Sequence, residues 1–171
     1  MSKRLWAPSP DRVAASNMTA FMNEVNSRFS ISCQTYNDLW QWSVDNVPDF
    51  WETLWDFLDI QAEERFERVV DDLPRMPGAR WFPGARLNFA ENLLRFDDDE
   101  LAIIGRCEHR APERWTYREL RREVAGLAAG MRRAGIVPGD TVAGYMPNIP
   151  QTVIAMLAAT SIGAVWTSTS P

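Results

Sequence analysis

Apolar residues in the first third of the chain recur with the spacing of amphipathic helices. The first such pattern lies within residues 16–30, where Ser16 or Asn17 can cap the start of a helix. Its apolar positions follow i, i+3, i+4, i+7 and i+11, and therefore share one helical face: Met18, Phe21, Met22, Val25 and Phe29.

Two further helices are predicted downstream of this one. Thr35 precedes the next apolar stripe, and Asp38 three residues later completes a pattern that resembles a capping box. Pro48 is predicted to begin the following helix, because proline is tolerated in the first helical turn. The N-terminal region is therefore predicted to be helical.

Seven aromatic residues lie between positions 36 and 58, and two interpretations compete for them. They could form an aromatic cage or a sugar-binding platform, or they could pack between short helices and whatever these cover. Their helical spacing favours packing. Trp42 falls off the stripe, so it either packs against another part of the protein or is exposed. The seven residues are Tyr36, Trp40, Trp42, Phe50, Trp51, Trp55 and Phe57.

The middle of the chain carries fewer periodic signals. Residues 60–75 are rich in charge, which predicts a solvated connecting segment. Residues 77–87 contain two Pro-Gly pairs around an aromatic dipeptide, a pattern typical of irregular chain. Asn88 is predicted to cap a short helix over residues 89–94.

Strands and helices alternate in the C-terminal half. Residues 101–105 and 113–116 are predicted to form strands that can pair as a hairpin, and a helical stripe spans residues 117–134. Further strands are predicted at residues 141–145 and 164–167. The helix predicted between them has apolar residues on nearly all of its sides. This order, with short connections, predicts an incomplete parallel βαβαβ unit in an α/β fold.

Helix-capping and helix-ending residues support the predicted element boundaries. Thr116 and Glu119 form a capping box, Gly135 ends one helix, and Gly163 ends the next. Asn148 is predicted to cap the helix that lies between the last two strands. Although no charge follows Asp140, the uninterrupted apolar run is far shorter than the ~20 residues of a membrane span.

The carboxyl end of the last predicted strand is the candidate ligand edge, because parallel sheets bind ligands there. Three hydroxyl residues occupy this end: Thr167, Ser168 and Ser170. The last strand also has no following helix to cover it. We therefore expect the chain to be part of a longer protein; the alternative hypothesis is a stand-alone module whose aromatic helices bind a partner protein.

The composition of the chain limits the kinds of binding and catalytic site that it can contain. A net charge of −5 argues against nucleic-acid binding, and Lys3 is the only lysine, which excludes a P-loop or Schiff-base site within the chain. His109 is the only histidine and lies in a predicted hairpin loop. Cys33 and Cys107 follow no metal-binding spacing, so neither a metal site nor a disulfide is predicted. The N-terminus lacks a signal-peptide pattern, and a reducing cytoplasm fits best.

Several segments resemble short-chain acyl-CoA synthetases of the adenylate-forming superfamily. The sequence Leu93-Leu94-Arg95 and the ending after Trp166 resemble the acetoacetate-activating type more than the acetate-activating type. The resemblance covers nearly the whole chain and is specific in combination. The matching segments, in chain order, are residues 42–44, 49–51, 81–94, 116–120, 138–142, 145–150 and 162–166.

The resemblance implies a helical accessory region at residues 1–95 and the first part of the AMP-binding domain at residues 96–171. It implies a cytoplasmic ligase that uses ATP, Mg²⁺ and coenzyme A to convert acetoacetate into acetoacetyl-CoA. The phosphate loop, the aspartate motif and the catalytic lysine of the superfamily are absent from the chain. No catalytic residue is therefore carried over, and the chain alone is predicted to be inactive and to bind none of these cofactors.

By position in the superfamily, Thr167, Ser168 and Ser170 would border the coenzyme A side of the site. The remainder of the adenylation domain is the implied partner, and no nucleic acid or membrane is expected. Another short-chain acyl-CoA synthetase is the alternative within the same superfamily.

Overall fold

The residues of the chain group into two units. The computed structural model describes residues 5–108 and 110–171. The first unit contains the residues up to Ile60 together with Arg65–Ala85, and the second contains Gln61–Glu64 together with Arg86–Pro171. Lys3 and His109, the lone lysine and histidine, lie outside the described residues.

Among its described residues, the first unit is built from four helices, of which the second and third begin at the predicted caps. The first helix was not predicted, and the fourth begins at Val47, one residue before Pro48. The Ser16 hydroxyl accepts a hydrogen bond from the Thr19 N–H, and Thr35 forms a complete capping box with Asp38. These contacts satisfy N–H groups that a helix start leaves without partners. The helices are α1 (Pro10–Ala14), α2 (Asn17–Phe29), α3 (Tyr36–Asp45) and α4 (Val47–Phe57).

Aromatic packing forms the core of this unit. Phe21, Val25 and Leu39 are buried, and Phe21 contacts aromatic rings of α4 at centroid distances of 5.2 and 5.7 Å. Trp42, which fell off the predicted stripe, packs on Phe29 at 5.0 Å. The packing interpretation of the aromatic residues is therefore confirmed for the core.

The charge-rich segment after α4 is more ordered than the solvated connection that its composition predicts. Val69 is buried, and Val70 forms an antiparallel bridge with Trp81. The rings of Trp55, Phe66 and Phe82 contact one another at centroid distances of 5.0 to 5.1 Å. Apolar residues spaced among the charges thus pack this segment back onto α4, which a charge count alone cannot detect.

Over its described residues, which omit position 109, the second unit contains three helices and four strands. Asn88 caps the first helix, since its side chain accepts from the Glu91 N–H. Thr116 and Glu119 form the predicted capping box of the longest helix. The elements are α5 (Phe89–Leu93), β1 (Leu101–Gly105), β2 (Glu113–Thr116), α6 (Tyr117–Arg133), β3 (Thr141–Tyr145), α7 (Pro150–Ser161) and β4 (Val165–Thr169).

Strand pairing corrects the predicted βαβαβ unit. β1 and β2 pair antiparallel in a sheet of their own, while β3 and β4 pair in parallel through α7. The α/β class, with helices before strands, is confirmed, but the parallel arrangement covers one βαβ unit and not two. Element order left the neighbour of β3 open, and the short β1–β2 connection favours a local hairpin.

The core of the second unit lies between α6 and α7 and the strands they cover. Leu120 and Val124 of α6 are buried, as are Leu157 and Ala158 of α7, and no residue of α7 is exposed. This confirms the prediction of a helix that is buried on nearly all sides.

The start of α7 corrects the prediction that Asn148 is its cap. Ile149 is the N-cap, in extended conformation at φ −127° and ψ 161°, and Asn148 is exposed. A residue before proline is held out of the helical region, so Pro150 sets the helix start. The turn is closed instead by the Thr152 hydroxyl, which donates to the Pro147 carbonyl at 2.7 Å.

Candidate functional site

The parallel unit β3–α7–β4 carries the predicted ligand edge. Its register places Tyr145 opposite Thr169 at the carboxyl ends of the two strands. Just beyond, the Met146 N–H donates to the Thr169 carbonyl at 3.1 Å. The two strand ends and the turn into α7 therefore lie side by side, which is the arrangement that forms a ligand crevice in parallel sheets.

Gly144 and Trp166 fix how β4 presents its side chains. A Cβ atom added at Gly144 would lie 2.5 Å from Cη2 of Trp166. The indole of Trp166 therefore lies over β3 at Gly144, which has no side chain. Trp166 packs against the core that α7 covers. Because side chains alternate along a strand, Thr167 and its alternate neighbours face the other way, and Val165, Thr167 and Thr169 are exposed.

The structure separates the three hydroxyl residues singled out from the sequence. Thr167 and Ser168 lie within β4, opposite Ala143 and Gly144. Thr167 was the last residue of the predicted strand, and Ser168 is included because the strand extends to Thr169. Ser170 alone follows the strand. All three are exposed, and their side chains form no hydrogen bond with the described residues. Their assignment to a binding site stays a prediction.

A second concave region, which the sequence did not reveal, lies where β1 meets the start of α7. It encloses about 540 Å³, and its polar lining includes Arg106 and Asn148. Gly105 permits β1 and the start of α7 to approach closely, because a Cβ atom at this position would lie 2.7 Å from Cγ of Pro150. A glycine ending β1 and a proline opening α7 were visible in the sequence, but their contact was not.

A shared carboxylate connects β2 to α7 beside this region. Oε2 of Glu113 accepts from Nε1 of Trp115 at 3.3 Å and from Nε2 of Gln151 at 3.4 Å. Arg110 lies 3.7 Å from the other oxygen. Oε1 of Gln151 is buried and has no hydrogen-bond partner in the described part of the chain. These contacts orient α7 relative to the hairpin.

One charged side chain in this unit, that of Glu119, serves helix capping. The Thr116 N–H and hydroxyl both donate to the Glu119 carboxylate, at 2.9 and 3.0 Å. These hydrogen bonds lower the pKa of Glu119. Glu119 therefore stays ionised and holds the first turn of α6.

The described residues provide neither metal ligands nor a membrane span. Across residues 5–108 and 110–171, no group of three or more His, Cys, Asp or Glu side chains could hold a metal ion. Over the same residues, no helix has the length and apolarity needed to cross a membrane.

Two family models match the chain in succession. A model described as "Acetyl-coenzyme A synthetase N-terminus" matches residues 36–93. A model described as "AMP-binding enzyme" matches residues 89–171. The first covers the aromatic helices, and the second begins at α5 and covers the strands.

Characterised relatives match the whole chain. An acetoacetyl-CoA synthetase from Danio rerio is 46% identical over 173 residues, covering 99% of this chain and 25% of the relative. A malonamoyl-CoA synthetase from Penicillium aethiopicum is 39% identical and covers 98% of this chain. A solved structure of acetoacetyl-CoA synthetase from Streptomyces lividans superimposes with a TM-score of 0.88 at 42% identity, over 99% of this chain and 27% of that chain.

The chain thus matches, one after the other, the family models of the acetyl-CoA synthetase N-terminus and of AMP-binding enzymes, and its units have the fold of a solved acyl-CoA synthetase, so it resembles that class of enzymes. Within the class, it matches the N-terminal part of acetoacetyl-CoA synthetases. The chain spans about a quarter of the length of the relatives it matches.

Proposed function

We propose that the chain is the N-terminal part of an ATP-dependent acetoacetate–CoA ligase. The observation that carries this proposal is the match to acetoacetyl-CoA synthetases over 99% of the chain, at 42% identity and a TM-score of 0.88 for the solved structure. The residue pattern at 93–95 and the ending after Trp166 support the acetoacetate type over the acetate type.

The proposed reaction has two steps. The acetoacetate carboxylate attacks the α-phosphorus of ATP, which releases pyrophosphate and leaves an acyl-adenylate. The thiol of coenzyme A then attacks the acyl carbon, and AMP leaves. Adenylation converts a poor electrophile into one with a good leaving group, and Mg²⁺ would neutralise phosphate charge in the first step.

The chain would supply structure to this reaction and no catalytic group. We propose that residues 1–95 form the helical accessory region and that residues 96–171 begin the adenylation domain. Support comes from the two family models, which meet at residues 89–93. The remainder of the adenylation domain would complete the β3–β4 sheet and supply the ATP site. A cytoplasmic location is part of the same proposal.

We propose that the hydroxyl residues at the end of β4 border the coenzyme A side of the site. Their exposure and their place at the carboxyl edge of a parallel pair support this role. Ser170 has the best position, because it alone follows the strand, whereas Thr167 and Ser168 point to opposite faces of it.

The Ser170→Ala substitution tests this assignment in the whole polypeptide. The KM for coenzyme A is expected to rise about threefold to tenfold, the loss of one hydrogen bond to a ligand. Acetoacetate-dependent ATP–pyrophosphate exchange should stay unchanged, because it precedes coenzyme A binding. Ser32→Ala, an exposed serine outside this unit, is the control. An unchanged KM for Ser170→Ala contradicts the assignment.

Pyrophosphate exchange by the whole polypeptide tests the function itself. Exchange should depend on acetoacetate, and adding coenzyme A should then yield acetoacetyl-CoA. Malonamate, in which an amino group replaces the methyl group of acetoacetate, and acetate are the comparison acids. Equal or faster exchange with either comparison acid overturns the proposed substrate, and no exchange with any acid overturns the ligase proposal.

Two measurements test the place of the chain in that polypeptide. Residues 1–171 expressed alone should give no pyrophosphate exchange above background. The native product, detected with an antibody to these residues, should have roughly four times the chain's mass of 19.5 kDa. A native product of 19.5 kDa would favour a separate partner-binding module.

A further inference from the structure

An apolar groove runs between α2, α3 and α4 of the first unit. It encloses about 410 Å³, and every residue that lines it belongs to this unit. Large apolar side chains on its rim remain exposed: Tyr36 is 62% exposed, Trp40 52%, Met18 48% and Leu58 44%. Helix packing within the unit therefore leaves this surface uncovered.

The groove is lined by regularly spaced positions. α3 contributes Tyr36, Leu39, Trp40 and Ser43, which follow the i, i+3, i+4, i+7 spacing of one helical face. None of the lining residues is charged. The shape and chemistry are those of a surface that accepts the apolar face of another helix.

The helices that form the groove are strongly acidic. Together they carry six carboxylates and one guanidinium, that of Arg28. Arg28 contacts Asp56 at 2.7 Å and Glu52 at 3.8 Å. Arg65 contacts the same two carboxylates at 2.8 and 3.7 Å. The other four carboxylates have no ion pair among the described residues. The helices that form the uncharged groove therefore carry a net negative charge. The carboxylates belong to Glu24, Asp38, Asp45, Asp49, Glu52 and Asp56.

We propose that this groove binds a basic amphipathic helix of a partner protein. The apolar stripe of that helix would enter the groove beside Trp40, and its Lys or Arg residues would be attracted by the carboxylates of the helices that form the groove. A second copy of the chain fits less well, because a two-fold pairing of these helices places carboxylates against carboxylates. The proposal does not depend on the ligase activity.

A synthetic peptide provides the probe. A fluorescent helix of about 18 residues, built from Leu and Lys in amphipathic order, is titrated into the whole polypeptide and followed by anisotropy. A peptide of the same composition in scrambled order tests the need for one apolar face. A Leu/Glu peptide tests the need for positive charge. We expect binding by the ordered Leu/Lys peptide, about tenfold weaker binding by the other two, and weakening at about 0.5 M salt.

Substitutions locate the binding to the groove. Trp40→Ser and Tyr36→Ser should each weaken peptide binding by about tenfold, since aromatic residues dominate such interfaces. Val44→Ser is the matched control: it lies on the same helix and is 51% exposed, but it does not line the groove. Asp45→Asn should weaken binding by about twofold to threefold at low salt. Circular dichroism and thermal melting confirm that each variant is folded.

Four outcomes overturn the proposal. These are no binding by the ordered Leu/Lys peptide, equal binding by the scrambled or Leu/Glu peptide, binding that Trp40→Ser and Val44→Ser affect equally, and a dimer in solution that Trp40→Ser dissociates. The last result would assign the groove to a second copy of the chain. Acetoacetate-dependent exchange, measured on the same samples, keeps a failure of the ligase proposal separate from these outcomes.

Discussion

Asp71 and Arg80 show at the residue scale how one side chain orders the irregular segment after α4. Nε of Arg80 and its backbone N–H both donate to the Asp71 carboxylate at 2.8 Å. The side-chain hydrogen bond, followed by the backbone one, lowers the pKa of Asp71 to about 2. While Asp71 is ionised, the pair therefore holds the part of the segment around Asp71 against the part around Arg80.

This pair predicts a specific pH dependence of stability. Because the folded-state pKa lies below the unfolded value of 3.8, the stabilisation is complete above about pH 4 and is lost as the pH falls towards 2. Asp71→Asn should lower the melting temperature at pH 7 and flatten its fall between about pH 4 and pH 2. Asp72→Asn, at the neighbouring position, is the control. The prediction is contradicted if the melting temperatures of Asp71→Asn and of the unmodified chain fall by the same amount between about pH 4 and pH 2.

Two glycines of the second unit have opposite roles. Gly144 lies under the indole of Trp166, whereas Gly126 lies in α6 with nothing within 4 Å of an added Cβ atom. Gly144→Ala should destabilise the fold by about 1–3 kcal/mol through overpacking. Gly126→Ala should stabilise it by about 1 kcal/mol, because alanine favours the helix. Urea denaturation measures both free energies of unfolding.

A double substitution checks the cause of the first effect. If overpacking on the indole is responsible, Trp166→Leu should be less harmful in the Gly144→Ala background than alone. Strictly additive free energies of unfolding would mean that the contact between these two residues is not the source of the strain.

At the element scale, most helix starts that a side-chain cap sets could be predicted, although the Ser9 cap of α1 was missed. Ser16, Thr35, Asn88 and Thr116 all cap helices as predicted, because capping depends on residues within one turn. The prediction that Asn148 caps α7 was wrong, and the reason is also local. Pro150 holds the residue before it, Ile149, in extended conformation, so Ile149 is the N-cap.

Capping gives a prediction for α6. Thr116→Ala removes the hydroxyl that accepts the Glu119 N–H at 3.2 Å, and should reduce the free energy of unfolding by about 1 kcal/mol. Thr35→Ala should have a similar effect through α3. Ser32→Ala, an exposed residue outside any helix, should be within about 0.5 kcal/mol of the unmodified chain. A loss equal to that of the control would show that the box contributes nothing measurable.

At the scale of the whole molecule, the two thiols report on different parts of the fold. Cys33 is 8% exposed in the first unit, and burial, followed by the nearby Asp38 charge, raises the pKa of its thiol. Cys107 is exposed in the β1–β2 connection.

A thiol reagent at about pH 8 should therefore modify one cysteine quickly and the other only as the first unit opens. Cys107→Ser should remove the fast phase and leave the slow one. Two fast thiols in the unmodified chain would contradict the burial of Cys33.

The sequence by itself determined the helices and strands other than α1, and the resemblance to acyl-CoA synthetases. Periodicity, caps and turn glycines act over a few residues, and the motifs that carry the resemblance are contiguous, so both can be read from the chain. Only the tertiary structure decided that the two strand pairs form separate sheets, that Ser168 lies inside β4, and that the charge-rich segment packs onto Trp55. It also decided that Trp42 is covered while Trp40 is not. These outcomes depend on contacts between distant residues, whose energies no local pattern contains.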